Sequence, residues 1–394
     1  MSENSLNVNI EEALKTILIA DTFEDINVEI EESLETNQAL VKVTASKQGV
    51  SEDLKLVANI GKSENVLEAF KREAYILKNV IPLFLDLQKY LKIQNPLTTF
   101  PKCFNYLDKD GIVILLLENL EKAGYTKIEG DLNEHNYKLV LKTIAKFHGL
   151  SLGLRHLHRN KFDELLGNCR MISKNMFEEL AQFFTSRVGK LKFNLKLRMR
   201  LDLLKKFDRA LENFSGNKIS EILNETVEKS VLVHGNFHHN SVLLKLQGEN
   251  ATDVALEGFQ TSGLHSPIID LSHYYFSGIG NDYFSGVTDF LKFYHEELSS
   301  FLKTLGCNAE EIFSVNTLLD HWQRYSFYGF CFAIASLELG SLKLDDVLTE
   351  FKKGEERGEA VQKAPREPRS ENIIAYRKKL EKIVEGFLES EIRF

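Results

Sequence analysis

The sequence predicts an α+β fold, and three features of the pattern carry that expectation. The first hundred or so residues read strand, strand, helix, strand, strand. No proline occurs between Pro101 and Pro267, which leaves room for long helices. One further hairpin interrupts an otherwise helical remainder. Val41–Thr44 alternates as a half-buried strand does. A turn at Gln48-Gly49 leads to a second strand over Leu54–Ile60. Ser63 is placed to cap a helix, in which Leu67, Phe70, Ala74, Leu77 and Ile81 form one apolar stripe until Pro82 ends or kinks it. Phe104–Leu107 and Ile112–Leu117, joined through Asp108-Lys109-Asp110-Gly111, form a hairpin.

From Leu120 the period lengthens. Tyr137, Val140, Leu141, Ile144, Ala145 and His148 share a helix face, and Lys190–Phe214 reads as one charged amphipathic helix. Ser241–Leu246 and Val254–Phe259 are expected as strands about a turn at Gln247–Asp253. Aromatic-rich helices follow to about Phe351, then a charged loop over Lys352–Ser370 and a terminal helix over Asn372–Glu389. The expected division is an N-terminal α+β lobe at 1–119 and a mainly helical lobe at 120–394 that contains the hairpin segment 231–260.

Composition narrows the function. The 394 residues are 43% hydrophobic and 27% charged, with a net charge of −8, which argues against a general nucleic-acid binder. Cys103, Cys169, Cys307 and Cys331 are widely separated and form no CxxC pair, so free thiols are expected rather than a zinc knuckle. The polar, acidic stretch from Met1 to Glu12 lacks the pattern of a signal peptide. The clearest apolar run, Ile112–Leu117, is too short to cross a bilayer. A cytoplasmic location follows as the expectation, in which the sequons at Asn213, Asn224 and Asn250 are not used.

The chemistry is concentrated in one stretch. Residues 231–244 read VLVHGNFHHNSVLL, 255–260 read ALEGFQ and 266–271 read SPIIDL. These resemble the catalytic hairpin of small-molecule kinases, whose pattern is His-Gly-Asp, four residues, Asn, a strand, then Asp-Phe-Gln. The likeness is greatest to the ecdysteroid kinase-like (choline-kinase-like) family, of insect type, within the group of aminoglycoside phosphotransferases and protein kinases. Phe70–Glu73 is similar to that family's helix-C segment. Leu116–Leu120 with Gly124-Tyr125 is similar to its hinge, and Ala145–Ser151 to its Ala-x-x-His helix. Leu291–Gly306 and Tyr325–Gly329 are similar to later segments. The resemblance implies a two-lobed protein-kinase-like fold.

It also implies a set of catalytic positions, and this chain has lost them. Phosphoryl transfer in such a fold uses an Asp that orients the acceptor hydroxyl, an Asn and a second Asp that hold magnesium, and a strand Lys paired with a helix Glu. The matched residues here are Asn236, Ser241, Gly258 and Ala58, with Lys55 near the last. Glu73 remains without its lysine. Glu35-Thr36-Asn37 stands where the glycine of a nucleotide-covering turn belongs. An Asn amide takes no proton at neutral pH, and Gly258 offers no side-chain oxygen to a hard cation. Asn240 and Glu257 are poor substitutes: the match of Val242–Leu244 leaves no gap to shift Asn240, and alternation turns Glu257 away from position 258. In the resemblance Asp270 braces the catalytic-loop backbone, while His234 and Gly235 shape that loop.

Other residues have plain and functional readings. His234, His238 and His239 suggest zinc, but adjacent residues in an extended loop point apart and no suitably spaced carboxylate or Cys completes a set. His148 reads as a hydrogen-bonded core histidine. The series Tyr274, Tyr275, Phe276, Phe293, Tyr294, Trp322, Tyr325, Phe327 and Tyr328 suits either a core or the walls of a hydrophobic pocket.

The expectation is therefore a pseudokinase that binds a hydrophobic small molecule or a protein partner, with no nucleic acid and no membrane span. Glu73, Glu118, Asn119 and Leu120 would form any residual nucleotide site. No cofactor is expected beyond weak ATP, and no magnesium. The alternative is an active ATP-dependent kinase of steroid alcohols using non-standard residues.

Overall fold

The computed structural model describes residues 3–34, 38–61, 64–109, 111–128, 130–167, 169, 191–196, 199–212, 218–278, 283–339 and 373–390. By its contacts the chain divides into two compact units. The first contains Met1–Thr143, Lys161–Leu166 and Asn240–Ser262; the second contains Ile144–Asn160, Gly167–His239 and Gly263–Phe394.

The first unit is built on a five-stranded antiparallel sheet in the order β1-β2-β3-β5-β4. Its strands are β1 (Glu24–Leu34), β2 (Gln38–Lys47), β3 (Val50–Gly61), β4 (Cys103–Lys109) and β5 (Ile112–Glu118). The β2–β3 turn at Gln48-Gly49 has both residues at positive φ, 52° and 78°, matching the right-handed twist of the flanking strands. Two elements go beyond the sequence reading: β1, and the helix α1 (Glu3–Ala20) that precedes it. Ile10, Ala13, Leu14, Ile17 and Leu18 of α1 recur at helical spacing and are buried against Ala39, Val41, Val43 and Ala45 of β2 and Leu56 and Ala58 of β3. Acidic residues surround both apolar patterns and dilute them.

The helix that carries Glu73 runs as α2 (Glu64–Tyr75), widens into a single π turn at Ile76–Val80, and resumes as α3 (Ile81–Tyr90). The Ile81 N–H bonds the Ile76 carbonyl, five residues back. Pro82 lies in the first turn of α3. Its ring has no N–H and would strike the carbonyl four residues earlier, and a widened turn relieves that clash. Pro82 thus re-registers the helix rather than ending it. Ser63, Asp110 and 35–37 lie outside the described residues.

The hairpin β7 (Val242–Gln247) and β8 (Asn250–Leu256) has a shorter turn than expected, with Gln247 paired directly to Asn250. By contacts it groups with the first unit, whereas chain order had suggested the helical lobe. The helix α4 (Glu134–Leu157) accounts for much of this. Asn133 and Asn136 both donate to the Glu249 carbonyl (2.9 and 3.0 Å), and the Asn136 side chain accepts the Ala251 N–H at 2.7 Å. Thr126 and Leu244 exchange backbone bonds of 2.9 Å.

The second unit contains the later part of α4, the short strands β6 (Val231–Val233) and β9 (Gly263–His265), which pair, and a set of helices. These include α8 (Ile268–Ser277), α9 (Val287–Thr304), α11 (Val315–Tyr325), α12 (Phe327–Leu339) and α13 (Ile373–Glu389). Of the aromatic series, Tyr274, Phe276, Tyr294, Trp322, Tyr325 and Tyr328 are core residues, and Tyr275, Phe293 and Phe327 are half-buried. Helix α12 approaches α8 at Gly329, where a Cβ would stand 2.2 Å from the His273 backbone nitrogen; only glycine fits. The expected helix Lys190–Phe214 is interrupted. Residues 191–196 are helical, Met199 and Arg200 are not, and the next helix, α6, spans Leu201–Glu212. The Arg200 guanidinium grips Asp202 in the first turn of α6 at 2.7 Å. The loop expected at Lys352–Ser370 lies outside the described residues.

Candidate functional site

Of the residues that the sequence matches to the catalytic positions, Ala58, Ser241 and Gly258 belong to the first unit and Asn236 to the second. Each half has its own buried carboxylate.

In the first unit that carboxylate is Glu73, which is 1% exposed. Its Oε1 accepts the backbone N–H groups of Gly258 (3.0 Å) and Phe259 (3.1 Å). The neighbouring Arg72 donates to the Ser262 carbonyl at 2.9 Å. Two successive residues of α2 therefore hold the turn that follows β8. Burial pushes the Glu73 carboxyl up to about 7, opposed by the Gln260 side chain and the Phe259 amide and reinforced by Glu257. Its Oε2 has no hydrogen-bond partner. Gly258 is left-handed, φ 82° and ψ 49°, and leads into a 3-10 turn at Phe259–Thr261. A Cβ at 258 would meet nothing within 4 Å. The space for an acidic side chain exists; the side chain does not.

The structure revises the strand position. Leu54, Leu56, Ala58 and Ile60 face the core shared with α1. Alternation sends Lys55, Val57 and Asn59 to the opposite face. Val57 pairs with Leu117 of β5, which pairs with Cys103 of β4. The Cys103 thiol is pushed up to about 12, chiefly by burial and next by the charge of Glu73. Cys103 points away from Phe104, which lies in the α1 core, so its face is the Glu73 face. A strand lysine facing Glu73 would therefore stand on the face of Val57 and Asn59, not at Ala58, and Asn59 accepts a bond from Gln38 Nε2 at 2.6 Å. Lys55 is exposed and lies beside Lys42 across the ladder. A motif match one residue out of phase with the pleat produced the difference, because a one-residue slip changes the face.

The hinge is engaged with its own chain. Glu118 N–H donates to the Lys102 carbonyl at 2.8 Å, and Asn119 N–H to the Lys55 carbonyl at 3.0 Å. The Asn119 side chain caps the following 3-10 turn by accepting from Glu121 and Lys122 N–H (3.0 and 3.3 Å). The Glu118 carboxylate accepts Lys102 N–H at 3.2 Å. Leu120 packs against Leu243 and Ala255, with Tyr125 alongside. The Tyr125 hydroxyl donates to Asp253 at 2.6 Å. Glu257 pairs with Lys127 at 3.0 Å, Asn240 is exposed, and Ser241 ends a 3-10 turn begun at His239.

In the second unit the carboxylate is Asp270, fully buried in the first turn of α8. It accepts His234 N–H (2.7 Å), Gly235 N–H (2.8 Å) and His148 Nε2 (3.0 Å). His148 Nδ1 meets the Tyr294 hydroxyl at 2.8 Å, which makes it the hydrogen-bonded core histidine expected. The Tyr328 hydroxyl donates to the Gly235 carbonyl at 2.6 Å. The loop backbone is thus fixed from both sides, and half-buried Asn236 is its central residue. The His238 and His273 rings lie 5.1 Å apart, tilted by 42°, and burial pushes both down, His238 to about 3. Among the described residues no group of three or more His, Cys, Asp or Glu side chains is placed to hold a metal ion.

Sequence reasoning missed the contacts of Arg72 with Ser262 and of Tyr328 with Gly235. Arg72 adjoins Glu73 and could have been suspected; nothing in the sequence marks Tyr328 as the partner of Gly235.

An α+β, kinase-like fold with a family-type loop, hairpin and helix-C carboxylate defines the class. The sequence model of the ecdysteroid kinase-like family matches residues 31–307. The chain belongs to that family. No curated protein matches it. Similar solved structures include the GDP complex of wild-type aminoglycoside 2′-phosphotransferase-IIIa (TM-score 0.43, 11% identity, covering 96% of this chain and 99% of that one). A GDP and kanamycin complex of a 2″-type enzyme has TM-score 0.41 and 13% identity, covering 96% of this chain and 97% of that one. An aminoglycoside phosphotransferase from Streptomyces rimosus with ADP and streptomycin has TM-score 0.36 and 13% identity, covering 75% of this chain and 97% of that one. Among the described residues no helix is long and apolar enough to cross a membrane.

Proposed function

We propose that this member of the ecdysteroid kinase-like family is a pseudokinase, binding a hydrophobic small molecule or a protein partner in the cytoplasm without transferring phosphate. One observation carries the reading. The position that would hold magnesium is Gly258, which has no side-chain oxygen to offer a cation and whose backbone N–H is already given to Glu73. The helix carboxylate that would align a lysine instead braces this turn. Asn236 supplies no base, and neither Val57 nor Asn59 supplies a cation. Loss of a general base alone costs about 10²–10⁴-fold, and loss of metal ligands adds to that without simple additivity.

Calorimetry with Mg-ATP tests the nucleotide side. The expected affinity is no tighter than about millimolar, near 4 kcal/mol, and micromolar magnesium-dependent binding would overturn the reading. Radiolabel transfer from ATP to a mixed pool of small alcohols tests the chemistry, and the expected result matches a heat-killed control. Turnover at rates ordinary for small-molecule kinases, abolished by an active-site substitution, would establish instead an ATP-dependent steroid alcohol kinase with replaced residues.

A further inference from the structure

We propose that helix α2 and the Gly258–Ser262 turn form a proton-operated latch, closed when Glu73 is neutral and loosened when Glu73 ionises. It rests on contacts within the first unit and does not depend on the pseudokinase reading.

The latch has two kinds of contact. Arg72 to the Ser262 carbonyl does not depend on the state of Glu73. Glu73 Oε1 to the Gly258 and Phe259 amides does. A neutral carboxyl can keep both bonds, because its carbonyl oxygen has two lone pairs. A carboxylate strengthens those bonds but brings a full charge into a site closed to water, with Oε2 unanswered.

The groups facing it offer little compensation. Glu257 and Gln260 come from the turn; the Gln260 side chain favours the charged form but does not outweigh burial, and Glu257 adds repulsion. Cys103 comes from β4, and its buried thiol stays protonated. Lys78 and Asp21 lie beyond Cys103 and pair with each other at 3.5 Å. Arg72 is aimed at Ser262. The balance favours the neutral acid, in line with the upward displacement to about 7. In an opened turn Glu73 meets water and returns toward its ordinary value of 4.5. Opening therefore becomes easier as pH rises between those values. The turn needs no mutation to move: Gly258 has no side chain to anchor it, and its φ is one that glycine alone adopts freely.

The test is amide hydrogen exchange at Gly258 and Phe259 in the full chain, followed by NMR from pH 5.5 to 8.5 and corrected for intrinsic exchange. The opening equilibrium is expected to rise about thirtyfold across that range. Glu73→Gln, which keeps an oxygen acceptor without the charge, should flatten the profile. Arg72→Ala should raise opening at every pH and leave the slope intact. A slope that persists in Glu73→Gln would overturn the proposal. Should that variant fail to fold, the carboxyl ¹³C titration of Glu73 in the unmodified protein decides: a midpoint near 7 supports the latch, and one below 5 overturns it.

Discussion

Asp270 and Glu73 are both buried acids that hold a loop by its backbone N–H groups, yet they are answered very differently. Asp270 has both oxygens satisfied, by His234, Gly235 and His148. Glu73 has one oxygen bonded by two amides and one with no partner. Asp270 is a structural brace with a full set of donors. Glu73 holds its turn through one oxygen only, and its burial disfavours the charged form.

The largest expected effect is Asp270→Ala, which strands two amides and His148 in a buried site. It should cost about 3–5 kcal/mol, read by chemical denaturation of the full chain. A loss under 1 kcal/mol would mean that the loop does not rely on this brace. Next comes Glu73→Gln, whose effect depends on pH. Because the folded-state value is raised from 4.5 to about 7, the contribution of Glu73 is fully present below pH 4.5 and is lost as pH climbs to 7. Above that the wild type carries a penalty on the order of 3 kcal/mol. The amide should therefore stabilise the protein at pH 8 and do little at pH 4. Equal effects at both values would erase the contrast between the two acids.

Gly258→Ala should cost about 1–2 kcal/mol. The cost comes from φ alone, because the Cβ meets open space; a thermal shift far larger would reveal crowding. The smallest effect is Tyr328→Phe, about 1 kcal/mol for one hydrogen bond to Gly235. It should show as faster exchange in the loop around Asn236.

Strands β2 to β5 were legible because alternation and turn residues are local signals, whereas β1 was not. Gln48-Gly49 could be read from dipeptide chemistry, and the apolar stripe through Phe70 and Ala74 from spacing. Helix α1 escaped notice because Ile10, Leu14 and Ile17 are interspersed with acids and polar residues. Pro82 announced a break, but the π turn depends on neighbouring contacts that keep the helix together. Asn236 and Gly258 were legible as letters. The contacts of Glu73 were not, since the amides it accepts from lie nearly two hundred residues away. The displacement from Ala58 to the opposite face, that of Val57 and Asn59, shows the limit of motif matching: it counts residues, while a pleated strand distinguishes odd from even.

The make-up of the first unit has a consequence for how the chain comes off the ribosome. That unit takes its sheet from the first third of the sequence and its hairpin from Asn240–Ser262, about a hundred residues after Thr143. At synthesis rates of about 5–20 residues per second, the sheet emerges roughly 5–20 s before the segment that completes it. During that interval the partner segments of Glu73, Arg72 and Asn136 have not yet been made. A truncation before Asn240 therefore removes more than a tail: it leaves an early-made unit waiting for a piece that never arrives, a state in which chaperone capture and proteolysis have time to act.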